Sequence, residues 1–234
     1  MMSVAHKHMP SLSAWLHFSE LTCCLKLVLA GCHFYCDAVS CVHDHIFDDT
    51  SLVLRKAIRL YCRQGDRVLD LGTGHIGLLA VYCARAHGAQ VVGVDVNQEF
   101  LENARLVARA SQVPDIDFVQ SDWFSRVEGT FDLIVGNIPY VPTDRRQFLR
   151  HVNDYPEVWD GGSTGTTQVR KVLTDVNRYL RPSGLFLLGL NVDCVPRETI
   201  LTLIASSEHL DLQRIVKSLI SRSEVYVIGA RNPS

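Results

Sequence analysis

Long apolar runs are missing from this chain. Nowhere do its 234 residues approach the ~18 consecutive apolar residues of a membrane span, so a transmembrane helix is excluded. A cationic excess is missing too. The chain has 23 Lys and Arg against 25 Asp and Glu, a formal net charge of −2. A protein that grips long nucleic acid by its phosphates usually carries a basic stripe. The one local cluster, Arg145, Arg146, Arg150 and His151, reads equally well as a solvated loop. There is no internal repeat and no low-complexity tract. The eight cysteines lack paired C-x2-C spacing, so Cys32, His33, Cys36, Cys41, His43 and His45 are not read as zinc ligands and no metal is expected.

The cysteines are unevenly placed. Cys23, Cys24, Cys32, Cys36 and Cys41 crowd the N-terminal segment, whereas Cys62, Cys83 and Cys194 sit in apolar patterns. Free Cys in such a pattern behaves as a small hydrophobe, and a secreted disulfide framework is not expected. Leu29-Ala30-Gly31-Cys32 has the look of a lipoprotein cleavage site, but Lys26 splits the apolar region before it and Glu20 precedes it. An amphipathic helix over 12–29 and a cytoplasmic location are the expectation.

What is present is ordinary globular composition, 47% hydrophobic and 21% charged, in a length that suits one α/β core. Residues 1–45 read as a helical or irregular N-terminal extension, with a β-hairpin within 32–45. Residues 46–234 read as the main domain. Asp48-Asp49-Thr50-Ser51 offers N-cap oxygens ahead of a helical apolar pattern reaching Tyr61. Beyond Arg67 the pattern predicts strands over 68–71, 90–95, 116–120, 131–135 and 185–190. It predicts helices over 76–87, 98–111, 168–180 and 196–206. Two closing strands, 212–216 and 225–228, form a hairpin at the sheet edge. Short apolar strands alternating with helices imply right-handed crossovers and a Rossmann-like, mostly parallel sheet flanked by helices. Ligands of such sheets bind beyond the carboxyl ends of the strands, and polar or glycine-rich motifs stand at four of those ends.

After the first strand comes Asp70-Leu71-Gly72-Thr73-Gly74-His75-Ile76-Gly77. Gly72, Gly74 and Gly77 form G-x-G-x-x-G, which allows a tight turn and close backbone approach to a ligand. Asp95, ending the second strand beside Val96, is placed to bond a ribose diol. These features fit NAD and S-adenosylmethionine (SAM) alike. Asp70 favours SAM: a carboxylate is badly placed beside a pyrophosphate and well placed beside an ammonium and a sulfonium. The competing role for Asp70 is a carboxylate capping its own turn. After the third strand, Asp122 can accept a bond from an adenine amino group and Trp123 can cover the adenine face. An N-cap Asp beside a core Trp is the alternative there.

Asn137-Ile138-Pro139-Tyr140, after the fourth strand, is the most informative tetrapeptide. Methylation of nitrogen needs the protons held so that the lone pair points at the methyl. The Asn137 side-chain oxygen and the Ile138 carbonyl can accept those protons. Pro139 drives Ile138 toward an extended backbone, and Tyr140 can stack on a planar target. An ordinary Asn-x-Pro turn is the bland alternative.

Taken together, Asp70 to Gly77, Gly93-Val94-Asp95, Gln120 to Phe124 and Phe131 to Pro142 resemble the HemK/PrmC-type release-factor glutamine N-methyltransferases and their shorter archaeal and eukaryotic relatives. Phe47-Asp48-Asp49-Thr50, Trp159-Asp160-Gly161-Gly162 and Leu180 to Leu185 continue the likeness, which covers roughly 46–230. The resemblance implies the class I SAM methyltransferase fold with seven strands. It implies SAM held by Asp70, Gly72, Thr73, Gly74, Gly77, Asp95, Val96, Asp122, Trp123 and Asn137. The acceptor it implies is a glutamine side-chain amide in the Gly-Gly-Gln loop of a translation release factor, held by Asn137, Ile138, Pro139 and Tyr140. Some relatives also require a small activating subunit.

The chain departs from the family at three places. Ile138 replaces the first proline of Asn-Pro-Pro-Tyr. His75 and Ile76 stand where small residues are expected. The separate N-terminal helical domain of the bacterial type is missing or reduced to one helix. Adenine or guanine N-methylation of RNA or DNA is therefore the alternative activity, with a small-molecule acceptor beside it. An NAD-binding oxidoreductase and a catalytically silent SAM-binding module are the remoter readings.

Overall fold

The structure, a computed structural model, describes residues 49–148 and 155–231. The expected N-terminal helix and hairpin, the Cys/His cluster, Asp48, Arg150 and His151 lie outside the described residues.

Helix α1 spans Asp49–Tyr61 and buries Val53, Leu54, Ala57 and Ile58, the i, i+1, i+4, i+5 positions of one helical face. There follow β1 (Arg67–Leu71), α2 (Leu78–His87), β2 (Gln90–Asp95), α3 (Gln98–Ala110), β3 (Asp117–Gln120) and β4 (Phe131–Gly136). After a loop with two short 3-10 turns come α4 (Thr167–Asp175), β5 (Leu180–Asn191), α5 (Arg197–Ala205), β6 (Leu210–Lys217) and β7 (Ser223–Ala230). The seven strands form one sheet in the order β3-β2-β1-β4-β5-β7-β6. Strands β1 to β5 pair in parallel; β7 is antiparallel to both β5 and β6.

Helix ends follow their local chemistry. Gly88 stops α2 in the left-handed conformation, φ 59°, donating back to the Ala84 carbonyl. Asn97 caps α3, its side chain accepting from Glu99 N and Phe100 N. Several boundaries differ from expectation, and three have a plain physical cause. Helix α2 starts at Leu78 rather than 76, because Gly77 at φ 57° is left-handed and outside the helix. The helix expected over 168–180 ends at Asp175 and tightens into a 3-10 turn, Val176–Tyr179. The Arg181-Pro182-Ser183-Gly184 segment, expected as a turn, is absorbed into β5. Phe131 pairs with Leu180 and Leu133 with Leu185, so the extra residues bulge out of the ladder.

The strand order reverses between β1 and β4, which opens a crevice beyond their carboxyl ends. Leu71 pairs with Val94 and with Gly136, and Asp95 pairs with Gln120. The residues following these positions, Gly72, Val96, Ser121 and Asn137, therefore leave four neighbouring strands at one level. No helix among the described residues is long and apolar enough to cross a membrane.

Candidate active site

The glycine loop after β1 needs its glycines. Gly72, Gly74 and Gly77 have φ of 77°, 68° and 57°, a region that costs an ordinary L-residue roughly 1–2 kcal/mol. The amides of Gly72 and Thr73 both donate to the Val94 carbonyl, at 2.9 and 2.8 Å, which ties the loop to β2. A Cβ added at Gly74 would meet nothing within 4 Å, so this side of the loop is open. One added at Gly93 would lie 2.8 Å from the Phe118 ring and 2.9 Å from Thr73 Oγ1.

Asp70 is 1% exposed. Its Oδ2 accepts from Thr73 Oγ1 at 2.6 Å and from Ala80 N at 3.0 Å. Gly77 at the N-cap of α2 brings no side chain to bond the helix's first amides, so a carboxylate from the preceding strand does that work. Burial pushes the Asp70 carboxyl up to about 6; the bonds from Thr73 and Ala80 pull it back, and the charge of Asp95 adds to the rise. Thr73 is thereby turned inward, onto Asp70.

Asp95 braces the other side. Oδ2 accepts from Gly74 N at 2.9 Å and Oδ1 from Asn97 N at 3.0 Å, joining the glycine loop to the start of α3. Burial raises its carboxyl above the ordinary value, opposed by those two bonds, while nearby Glu157 raises it further. Val96 beside it is 50% exposed, an apolar side chain left at the open edge. Asn97 Nδ2 reaches Glu157 Oε1 at 3.4 Å, and the Tyr155 ring meets Phe100 edge-on, centroids 5.1 Å apart. The chain at 155–157 therefore lies over the start of α3.

Beyond β3, Trp123 holds φ 48°, a conformation with a cost of about 1–3 kcal/mol for a bulky residue. Ser121 sustains it, its Oγ donating to the Trp123 carbonyl at 2.8 Å and accepting from Arg126 N at 3.0 Å. The Trp123 ring is half-buried beside the glycine loop, its Cζ3 3.7 Å from where a Gly72 Cβ would lie. Its indole nitrogen donates to Gln168 Oε1 at 3.3 Å. Asp122 is exposed.

The tetrapeptide after β4 is half sunk into the protein. Ile138 is 1% exposed and its side chain joins the core; Pro139 is half-buried. Tyr140 is 8% exposed, with its hydroxyl 2.9 Å from Thr50 Oγ1, and Thr50 Oγ1 is 2.9 Å from Ser223 Oγ. Asn137 Nδ2 donates to Ser51 Oγ at 3.1 Å. Trp159, Asp160 and Gly161 clamp the far side: Val141 N donates to the Trp159 carbonyl and Gly161 N to the Val141 carbonyl, both at 2.9 Å. Gly161 has to be glycine, since a Cβ there would lie 2.7 Å from the Tyr140 Cα.

The sequence-predicted residues thus gather at one edge of the sheet, with Asp70 and Thr73 facing into the protein and Tyr140 largely covered. Sequence reasoning missed Thr50, Ser51 and Ser223 as neighbours of the tetrapeptide, and Gln168 as the partner of Trp123. Thr50 and Ser51 were visible only as possible capping hydroxyls. In the structure they lie inside α1 and bond across to another element.

Residues 40–151 match the family model "Methyltransferase small domain". A solved methyltransferase from Pyrococcus furiosus superposes with a TM-score of 0.64 at 18% identity, over 93% of this chain and 98% of that one. The fold is that of the class I SAM-dependent methyltransferases, and the chain is one of that class. A release factor glutamine methyltransferase of Gloeobacter violaceus is 33% identical over 178 residues, 73% of this chain and 61% of that protein. A Methanocaldococcus jannaschii relative, provisionally named a protein N5-glutamine methyltransferase, is 29% identical over 147 residues, 62% of this chain and 71% of that protein. Within the class, the chain is similar to the HemK/PrmC-type glutamine methyltransferases, and it spans less than two thirds of the length of the Gloeobacter protein. SAM is the cofactor of this class. The left-handed glycines, the open side at Gly74 and the half-exposed Val96 beside Asp95 make a cradle that fits it.

Proposed function

We propose that the protein moves a methyl group from SAM to the side-chain amide nitrogen of a protein glutamine, in the Gly-Gly-Gln loop of a translation release factor. The observation that carries this reading is the position of Asn137-Ile138-Pro139-Tyr140. The β1–β4 register, Leu71 against Gly136, sets it directly beside the glycine loop. Bound there, SAM would supply an electrophilic methyl carried on its sulfonium, for transfer to the amide nitrogen with the thioether left behind. In this reading Asp95 holds the ribose diol, Val96 and Trp123 flank the adenine, and Asp122 takes its amino group. Gly72 and Gly74 admit the cofactor to the backbone, and Asp70 holds the loop. The Asn137 side-chain oxygen and the Ile138 carbonyl would accept hydrogen bonds from the two amide N–H groups, so that the nitrogen is turned toward the methyl. One proton leaves the nitrogen during or after attack, and catalysis is chiefly positioning.

Ile138 in place of proline keeps the carbonyl and gives the core a side chain instead of a rigid ring. The names of the Gloeobacter and Methanocaldococcus relatives support the glutamine acceptor, and the net charge of −2 disfavours long nucleic acid. The same reading takes residues 46–234 as the catalytic domain behind an extension, a cytoplasmic setting, and a small activating subunit as a partner.

The test is transfer of labelled methyl from SAM to a purified release factor, with the Gly-Gly-Gln glutamine intact or changed to alanine, alongside calorimetric titration with SAM and with NAD. Label on the intact factor alone is expected. SAM binding with no label on the factor would move the acceptor to RNA, DNA or a small molecule.

A further inference from the structure

Three hydroxyl groups stand buried behind the tetrapeptide: Thr50 is 1% exposed, Ser51 6% and Ser223 1%. Burying a hydroxyl without a partner is unfavourable, and these are partnered in a particular way. Ser51 Oγ receives one arm of the Asn137 amide, at 3.1 Å. Thr50 Oγ1 stands between the Tyr140 phenol and Ser223 Oγ, 2.9 Å from each. Two adjacent residues in the first turn of one helix therefore reach the first and last residues of the tetrapeptide. The helix cannot drift: a Cβ at Gly189 of β5 would come within 2.6 Å of Leu54 Cδ1 and 2.7 Å of Thr50 Cγ2. That close approach sets Thr50 and Ser51 against β5 and β7. An asparagine amide rotates about a soft terminal torsion. A partner on one arm fixes the direction of the other.

We propose that Thr50 and Ser51 are the positioning residues of the acceptor site. Ser51 sets the rotation of the Asn137 amide, and Thr50, anchored by Ser223, fixes the Tyr140 phenol. This rests on the amide-holding reading of Asn137 but adds residues the tetrapeptide does not contain. Neither hydroxyl touches the reacting atoms; both act through side chains that do. The consequence is a split in the kinetics: losing either hydroxyl lowers kcat while SAM binding stays intact, because the glycine loop and Asp95 are untouched.

The experiment compares Ser51→Ala with Ser51→Thr, and Thr50→Val with Thr50→Ser, in the full chain. It measures kcat on a release factor, SAM affinity by calorimetry, and the side-chain amide signals of Asn137 in nitrogen-15 spectra. We expect kcat to fall about 10- to 100-fold in Ser51→Ala and Thr50→Val, with SAM affinity within about twofold of wild type by the same principle, and to recover in Ser51→Thr and Thr50→Ser. Wild-type turnover in Ser51→Ala and Thr50→Val overturns the proposal. So does equal impairment of the hydroxyl-keeping pair, which would mark a packing role. If the wild-type protein methylates no release factor, the acceptor reading fails instead, and the spectra decide the positioning role. Asn137 amide signals that move and broaden in Ser51→Ala uphold it, and signals that superimpose on wild type overturn it.

Discussion

The proposed function gives Asn137 and Asp95 separate tasks at the scale of single residues. Asn137 leaves β4 with one arm of its amide on Ser51, which in the proposed reading places it to hold the acceptor. Asn137→Ala should therefore lower kcat by about 100-fold or more while leaving SAM affinity nearly intact; single-turnover methyl transfer beside calorimetry checks this, and unchanged turnover would remove Asn137 from the amide-holding role. Asp95 has the opposite profile. It braces Gly74 and Asn97 through separate oxygens, and each oxygen retains a lone pair for a hydroxyl. Asp95→Ala would lose both the proposed ribose contact and the brace, so SAM affinity should weaken about 10- to 100-fold, at roughly 1.4 kcal/mol per tenfold. An unaltered dissociation constant would exclude the ribose role.

At the scale of elements, the join between β1 and α2 is where sequence and geometry constrain each other most tightly. Gly77 takes φ 57° so that the chain can turn into α2, and a Cβ there would lie 3.2 Å from both Ala104 of α3 and the Phe118 ring of β3. Gly77→Ala combines left-handed strain with crowding, a cost of about 1–3 kcal/mol. Urea unfolding should show a lower midpoint with an unchanged slope, whereas an unshifted midpoint would mean that the loop relaxes at no cost. The β4–β5 pair shows the reverse case. Arg181 to Gly184 carry turn-forming residues, yet pairing of Leu180 with Phe131 and Leu185 with Leu133 carries them as a bulge within β5. Tertiary pairing overrides local preference there, as is common for strands.

The whole molecule adds a charge buried in the centre of its cofactor edge. Asp70 titrates near 6 in the folded chain, against an ordinary 3.8, chiefly because it is buried. A carboxyl raised on folding contributes stability that is present below about pH 3.8 and is lost as pH rises through about 6. Two pK units correspond to about 3 kcal/mol. Asp70→Asn abolishes this titration. The stability of wild type minus that of the variant should then fall by about 2 kcal/mol between pH 4 and pH 7, measured by denaturant unfolding. A difference independent of pH would show that Asp70 is ionised at no cost. The opposite pH sense belongs to Glu224. Its pairing with Arg197 lowers its carboxyl, against burial and with help from the Tyr226 hydroxyl, so its contribution is lost on acidification.

Local sequence was enough for the framework. The alternation of apolar strands with amphipathic helices named all seven strands, and the glycines at 72, 74 and 77 marked positions that only a residue without a Cβ occupies comfortably. The amide-holding role proposed for the tetrapeptide at 137–140 rests on residue types that are legible in the sequence alone. These features depend on neighbours within a few positions, which periodicity and turn chemistry encode. Three other features were decided by the fold. Asp70 became the cap of α2 because burial left its carboxylate one helix to serve. Arg181 to Gly184 became strand because β4 offered a ladder. Thr50, Ser51 and Ser223 became neighbours of Tyr140 and Asn137 because α1 packs against β5 and β7, uniting residues 90 and 173 positions apart. Contacts at such separations come from the packing of whole elements, and no local pattern of residues announces them.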